Sequence, residues 1–517
     1  MAVITTLYFI SICIVLLLVW LKSKLSYWHK RGLQSPSFLQ LLINIKTSLR
    51  HEQSVIDKDL RSYEWIKSRG LKHAGLYRMW RPIYHPVDLD IIKHILQSDF
   101  DHFVDRGMFV NEKGDPLGAH LFSLAGKKWR LLRNKLTPTF SSGKMKMMFE
   151  TVLDCTKGIE KVMDKQIGKP VHIKEIAARF TTDVIGSCAF GIECNSLENP
   201  DCEFRRKVGV FFKEDFFQSL KYIMMGVFPK LMRMLNVQFF PKETSDFFMN
   251  LTRETIEYRE KNDVRRKDFM DVMIQLKNTG RIIDDDQKRS NENVSEEENE
   301  ITIGVIAAQC LIFFAAGYET SSSTIAFCLY ELAKAKAIQD KVRAEIKRVI
   351  AKNGGQLTYD GLSEMKYLEQ CVNETLRKYP PEPHLLRMCT KEYQIPNTDV
   401  ILEKGTKVLI NSVALQRDPD NYKEPEKFDP DRFNEENSKT RPACSFLSFG
   451  QGPRNCIGQR FGMMQTKIGL VAFLMNYEFS PSEKTKEPFE YDRNFNSMTV
   501  KGGVWLNFNK IASQPLH

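Results

Sequence analysis

Near the carboxyl end of this 517-residue chain, Ser445 to Gly462 read SFLSFGQGPRNCIGQRFG, with Phe449, Gly452, Arg454, Cys456 and Gly458 at fixed offsets around one thiol. A thiolate that binds haem iron needs a tight loop against which a porphyrin can lie, and Gly452 and Gly458 remove side chains that would block that approach. Arg454 can neutralise a propionate. A helix beginning just after Cys456 would aim its amide donors at the sulfur and stabilise the thiolate. Taken alone, a cysteine in a Gly-rich loop is more often structural, so the weight falls on its companions.

Three companions carry chemistry by type and spacing. Glu319 and Thr320 place a carboxylate and a hydroxyl in an otherwise apolar helical run, where each needs a partner away from water. A threonine bonded to its own helix backbone is the plainer reading. Gly317, just before them, is expected to loosen the helical ladder and make room for a small ligand. Trp129 and Arg133 are one helical turn apart, so indole N–H and guanidinium face the same way and can both reach a carboxylate. Glu374 and Arg377, at i and i+3, form a helical ion pair that on a surface contributes about 0.2–0.5 kcal/mol.

Long helical periodicity positions these residues, with short alternating runs such as GLYRMW and RPIYHP between about 50 and 100 predicting a small sheet. LEQCVNETLRKYP reads as a helix stopped by Pro380 and Pro381. Residues 2–21 carry no charge and, at ~1.5 Å per helical residue, span the ~30 Å core of a bilayer. Lys22, Lys24, Lys30 and Arg31 follow, which leaves the rest of the chain in the cytosol, and Tyr27 and Trp28 suit the membrane interface. The expected division is an anchor at 1–22, a linker at 23–50 retaining only Pro36, and a catalytic domain at 51–517. Ile301 to Tyr318 is apolar enough to mimic a second span, but the polar run 319–324 continues the same helix and argues for a buried central one. The acidic, polar stretch Ile283 to Glu300 reads as a solvated loop.

Hydrophobic residues at 42%, charged residues at 27% and a mean hydropathy of -0.34 describe a mostly soluble body with a large core. Eleven scattered cysteines without a CxxC pair favour a reducing compartment. A net charge of +11 is mild over this length and suits an acidic partner or anionic membrane better than nucleic acid. No Walker loop, HExxH, Ser-centred nucleophile elbow or Rossmann fingerprint is present, so no flavin or nicotinamide site is expected.

The pattern Phe449-x-x-Gly452-x-x-x-Cys456-x-Gly458 resembles the cysteine signature of the cytochrome P450 family. Trp129-x-x-x-Arg133, AGYETS at 316–321, Glu374-x-x-Arg377 and FDPDRF at 428–433 follow in family order, and the run from DRGMFVNEKGDPL through TPTF looks closest to insect microsomal members. The resemblance covers essentially the whole chain. It implies a mainly α fold with small β-sheets, the P450 triangular prism, preceded by one transmembrane helix. It implies haem b with Cys456 as axial ligand, and Trp129, Arg133, Arg387 and Arg454 at the propionates. Thr320 would hydrogen-bond dioxygen and Glu319 would help deliver protons, while Glu374, Arg377 and Arg432 would form a buried structural network. The implied activity inserts one atom of dioxygen into lipophilic substrates, among them plant toxins, insecticides or endogenous lipophiles. Electrons would come from NADPH-cytochrome P450 reductase, with cytochrome b5 as an optional partner, at the cytosolic face of the endoplasmic reticulum. Lys127, Lys128, Arg130 and Lys135 offer a basic docking face. Substrate contacts are expected from Phe103 to Phe122, from Phe211 to Phe240, and from Phe313 and Ala316, with Val227 to Phe240 also dipping into the bilayer. A haem-thiolate isomerase or dehydratase, or a non-enzymatic haem-based ligand binder, are the alternatives.

Overall fold

The two long apolar runs behave oppositely. Ala2–Leu25 is a single helix whose side chains are exposed along nearly its whole length, the condition of a helix whose apolar surface belongs in lipid. Ile303–Lys334 is a helix half-buried inside the protein, with Ser321 to Ala333 all buried, so it is a core element. Its first turn is capped by Thr302, whose hydroxyl accepts from the Val305 N–H at 3.2 Å. The computed structural model describes residues 2–50, 53–212, 216–280, 301–495 and 497–511; the stretch read as a solvated loop, 283–300, lies outside them.

Around the central helix the fold is mainly α with three small sheets, as expected. Ile173–Ile185, Lys366–Lys378 and Gln459–Asn476 pack against it. Gly469 lets the last of these close in, since a Cβ there would lie 2.8 Å from Ile325 and 2.9 Å from Phe180. Lys366–Lys378 stops where predicted, with Tyr379 leaving helical geometry ahead of Pro380 and Pro381.

The sheet predicted near residue 80 is real and gains two distant strands. His73–Arg78 pairs antiparallel with Arg81–Pro86, which runs parallel to Lys407–Ile410, itself antiparallel to Leu385–Met388. Arg387, paired with Val408, is therefore carried on an edge strand of this sheet.

Trp28 corrects the interfacial expectation. Its indole is fully buried against the sheet, Nε1 donates to the Leu76 carbonyl at 2.9 Å, and a Cβ on Gly75 would fall 2.0 Å from its Cγ. An aromatic following an apolar span has the same sequence signature whether it stops at headgroups or plugs a core. Tyr27 stays partly exposed, with its hydroxyl donating to Glu403 at 3.0 Å. Residues 23–50, expected as a connecting linker, carry ordered structure: Leu25, Trp28, Leu33 and Leu41 are buried, and Phe38–Leu49 is helical.

Candidate active site

The loop at Cys456 is built by backbone hydrogen bonds and two left-handed glycines. Gly450 and Gly452 have φ of 68° and 73°, the Asn455 N–H donates to the Gly452 carbonyl at 3.0 Å, and the Cys456 N–H donates to the carbonyl of half-buried Phe449 at 2.7 Å. Gly452 is required for a reason the sequence did not suggest: a Cβ there would lie 1.8 Å from the Leu96 carbonyl oxygen, so it clears the backbone of a distant segment. At Gly458 a Cβ would meet only Phe140, at 3.7 Å, which leaves that flank open. Gly458 caps the helix Gln459–Asn476, and its N–H donates to the Cys456 sulfur.

Cys456 is accessible, yet burial raises its pKa, a combination that places the thiol on the wall of an interior cavity. The Gly458 amide and the charges of Arg133 and Arg106 oppose that rise. A coordinated cation reverses the balance, because metal-bound thiols are deprotonated.

Four guanidiniums gather beside this cavity. Arg454 is buried, stacks 3.9 Å over Trp129, and donates to the carbonyls of Val104 at 2.8 Å and Leu124 at 2.7 Å. Arg133 donates to the carbonyl and side-chain oxygens of Asn455, at 3.0 and 2.9 Å, so it clamps the residue before Cys456 to the helix Gly126–Leu136. Arg387 is buried with its Nε unpartnered. Arg106, which the sequence reading missed, donates to the Phe122 and Arg454 carbonyls at 2.9 and 3.2 Å. Burial and mutual repulsion push these side chains down, Arg106 to about 10, Arg387 to about 9 and Arg454 to about 8. Asp105, 3.7 Å from Arg454, is the one carboxylate paired with any of the four among the described residues. A cluster so short of negative charge, with an orphaned guanidinium nitrogen next to a cavity-facing thiol, fits a group carrying two carboxylates and a thiol-seeking metal. Haem meets that description.

The central helix presents its chemistry on two faces. Ala316 and Thr320 are exposed to open space, and the Thr320 hydroxyl donates to the Ala316 carbonyl at 2.6 Å. The backbone-bonded reading of Thr320 therefore holds, without removing the side chain from the open face. Gln465 donates to the Gly317 carbonyl at 3.3 Å, which lays this turn against the helix that follows Cys456. Glu319 points elsewhere: its carboxylate is buried, 2.5 Å from Lys174 Nζ, and accepts from Ser497 at 3.1 Å and Ser323 at 3.4 Å. Gly317 does not loosen the ladder. The helix is unbroken there, and a Cβ on Gly317 would lie 2.4 Å from Ile185 Cδ1, so the glycine serves helix packing.

Glu374 and Arg377 are fully buried and bidentate, at 2.7 and 2.9 Å, with Arg432 Nε 3.4 Å from Glu374. Arg377 also donates to the Gln416 and Pro425 carbonyls at 2.8 and 2.6 Å. Gln416, another residue missed from sequence, donates to the Leu376 and Arg377 carbonyls and accepts from the Leu447 N–H at 2.6 Å, joining this network to the start of the cysteine loop.

The basic residues divide. Lys127, Lys128 and Arg130 are exposed, but Lys128 pairs with Glu112 at 2.6 Å and Arg130 with Asp101 at 3.0 Å, while Lys135 is half-buried. Of the expected substrate contacts, Phe103 is buried against Tyr393, 4.9 Å between ring centroids, so it fills core, while half-buried Phe313 packs on Phe269 at 4.5 Å and Phe140 at 5.3 Å. Phe240 is also buried, whereas Phe122 and Ala316 remain exposed; the side chain of Phe211 lies outside the described residues.

The cytochrome P450 family model matches residues 47–506. Among curated relatives, "Probable cytochrome P450 6a14" of Drosophila melanogaster is 41% identical over 493 residues, covering 94% of this chain and 96% of the relative. "Probable cytochrome P450 6a13" and "Cytochrome P450 6a2" of the same organism are 42% and 41% identical, each over 94% of this chain and 95% and 96% of the relative. With a cavity-facing thiol, an anion-seeking arginine cluster and this coverage, the chain belongs to the cytochrome P450 family and is a haem monooxygenase similar to insect members.

Proposed function

We propose that this protein binds haem b through Cys456 and hydroxylates lipophilic substrates, xenobiotics such as plant toxins and insecticides or endogenous lipophiles, with electrons drawn from NADPH through cytochrome P450 reductase. Cytochrome b5 is an optional second donor. The single observation that carries the reading is the accessible Cys456 thiol at a helix start, walled by four arginines with almost no compensating charge.

When bound, haem supplies reductive activation of dioxygen and insertion of one oxygen atom into a C–H bond. The chain's own residues do the rest. Trp129, Arg133, Arg387 and Arg454, joined by Arg106, hold the two propionates. Thr320 offers a hydroxyl donor on the open face, where it can exchange its Ala316 partner for a bound ligand. Glu319, Lys174, Ser497 and Thr499 form a hydrogen-bonded chain behind it, with Lys174 3.2 Å from Thr499, through which a proton can reach the buried carboxylate. The Glu374–Arg377–Arg432 network holds the cysteine loop in register. The exposed Ala2–Leu25 helix anchors the protein in the endoplasmic reticulum membrane, and the basic residues after it keep the catalytic body on the cytosolic side.

The test is the reduced, carbon monoxide-bound difference spectrum of wild type beside Cys456→Ala. A strongly red-shifted Soret band in wild type that vanishes in the variant supports thiolate ligation by Cys456. The same spectrum in both overturns it. NADPH consumption with reductase, oxygen and a lipophilic substrate then separates monooxygenation from isomerase chemistry and from mere ligand binding.

A further inference from the structure

Glu382 shares a combination with Cys456. It is exposed, yet burial is the largest influence on its carboxyl and raises its pKa. A side chain open to space and deep in protein lines an interior cavity. Geometry ties it to the site: Arg106, whose charge reaches Glu382, donates to the carbonyl of Arg454, two residues before Cys456, and Met498, whose N–H donates to the Pro381 carbonyl, follows Ser497, which donates to Glu319 on the central helix.

The backbone around Glu382 is fixed by hydrogen bonds. Prolines flank it at 381 and 383, the Glu382 carbonyl accepts from Ser412 Oγ at 2.9 Å, the Val413 N–H donates to the Pro383 carbonyl at 3.0 Å, and the Met498 N–H donates to the Pro381 carbonyl at 3.3 Å. No hydrogen bond or ion pair reaches the carboxylate itself among the described residues. The charged groups around it are His384, Arg106 and Asp59. His384 lowers the Glu382 pKa by its charge, but its Nδ1 is held by Asp59 at 2.7 Å and makes no hydrogen bond to Glu382. Arg106 is committed to the Phe122 and Arg454 carbonyls and to the face of Phe122, 4.0 Å away, within the cluster that takes the propionates. A carboxylate left without a partner in such a place costs free energy that an arriving cation recovers.

We propose that Glu382 is a specificity-determining residue that holds the cationic nitrogen of a lipophilic amine substrate in the cavity onto which Cys456 opens. The proposal rests on the monooxygenase reading and narrows its substrate class. The exposed Phe122, under Arg106, and Ala316, on the open face of the central helix, are the apolar groups offered to the hydrocarbon portion, and Glu382 fixes which end of the molecule lies away from the reacting centre.

The test uses full-length, haem-loaded protein and two probes of the same shape, 1-benzylpiperidine, protonated at neutral pH, and uncharged benzylcyclohexane. Dissociation constants are read by equilibrium dialysis and by perturbation of the Soret band. Glu382→Gln should weaken binding of the amine about tenfold or more while leaving the hydrocarbon within about twofold, and Glu382→Asp should restore part of the loss. Equal loss for both probes, no loss for the amine, or no binding of either overturns the proposal. The carbon monoxide spectrum of each variant keeps the two readings apart. Its absence in wild type defeats haem-thiolate chemistry, whereas a normal spectrum with unchanged amine binding defeats only the role of Glu382.

Discussion

The network under the cysteine loop and the apolar flank near the amino terminus are held by opposite means. In the first, Arg377 directs its donors to Glu374 and to the carbonyls of Gln416, Pro425 and Lys427, and Gln416 is satisfied at both ends of its amide. In the second, large apolar side chains stay open: Leu39, Phe228, Leu231, Met234 and Leu235 join the Ala2–Leu25 helix in exposing hydrocarbon. A chain of rings ties them, with Trp20 5.5 Å from Trp80 and Trp80 6.2 Å from Phe228. Buried polar geometry specifies residue identity, because each donor has one acceptor at one place. A surface that meets lipid specifies only hydropathy.

Substitution at matched depth breaks this comparison most sharply. Glu374→Ala leaves Arg377 buried without its carboxylate, and removing one partner of such a pair costs about 3–5 kcal/mol. The expected outcome is a large fall in the denaturant midpoint and little protein able to give a thiolate spectrum. Met234→Ser with Leu235→Ser should leave that midpoint nearly unchanged and instead reduce partition onto liposomes. Equal destabilisation by both substitutions would mean that the flank is core after all.

The same contrast explains what the sequence made legible. Cys456, Glu374, Arg377 and Arg432 stand out because a chemical demand fixes residue type and spacing together, and the structure brings the last three into one network. Trp129 and Arg133 were recognisable as a pair one turn apart, although Arg133 also grips Asn455. Gly452 and Gly317 were legible as glycines but not in purpose, since what each makes room for, the Leu96 carbonyl and Ile185, comes from chain segments far away in sequence. Trp28 misled for the same reason: its partner Leu76 lies 48 residues on. Arg106 and Gln416 carry no local signal at all. Their roles come from carbonyls that only the fold brings near.

The junction between the two regions offers a smaller test. Asp59, on the amino-terminal helix Val55–Lys67, holds His384 at 2.7 Å at the head of the strand that carries Arg387. Burial lowers the His384 pKa, but Asp59, by charge and hydrogen bond, and Glu382 together raise it above the ordinary value despite the opposing charge of Arg78. A histidine raised on folding contributes stability that is complete below its unfolded pKa and is lost as pH rises through the folded value. Wild-type stability should therefore decline as pH rises above about 6.5, the ordinary histidine value. His384→Gln should flatten that decline, read as the difference in denaturant midpoint between mildly acidic and mildly alkaline buffer. An unchanged slope would assign the tie to shape alone.

The smallest expected effect on stability separates binding from folding. Lys128 and Arg130 are exposed and paired with Glu112 and Asp101. Exposed pairs contribute only about 0–1 kcal/mol, so Lys128→Ala with Arg130→Ala should barely move the unfolding midpoint. Both residues belong to the helix Gly126–Leu136, whose opposite side holds Trp129 and, through Arg133, the residue before Cys456. An acidic electron donor docking there would trade contacts with Glu112 and Asp101 for its own carboxylates. The double variant should raise the concentration of reductase needed for half-maximal NADPH oxidation by about three- to tenfold at low ionic strength, and the difference should shrink as salt is added. If the requirement for reductase stays constant at every ionic strength, electrons enter over a different face, and the basic residues of this helix serve only to keep it solvated.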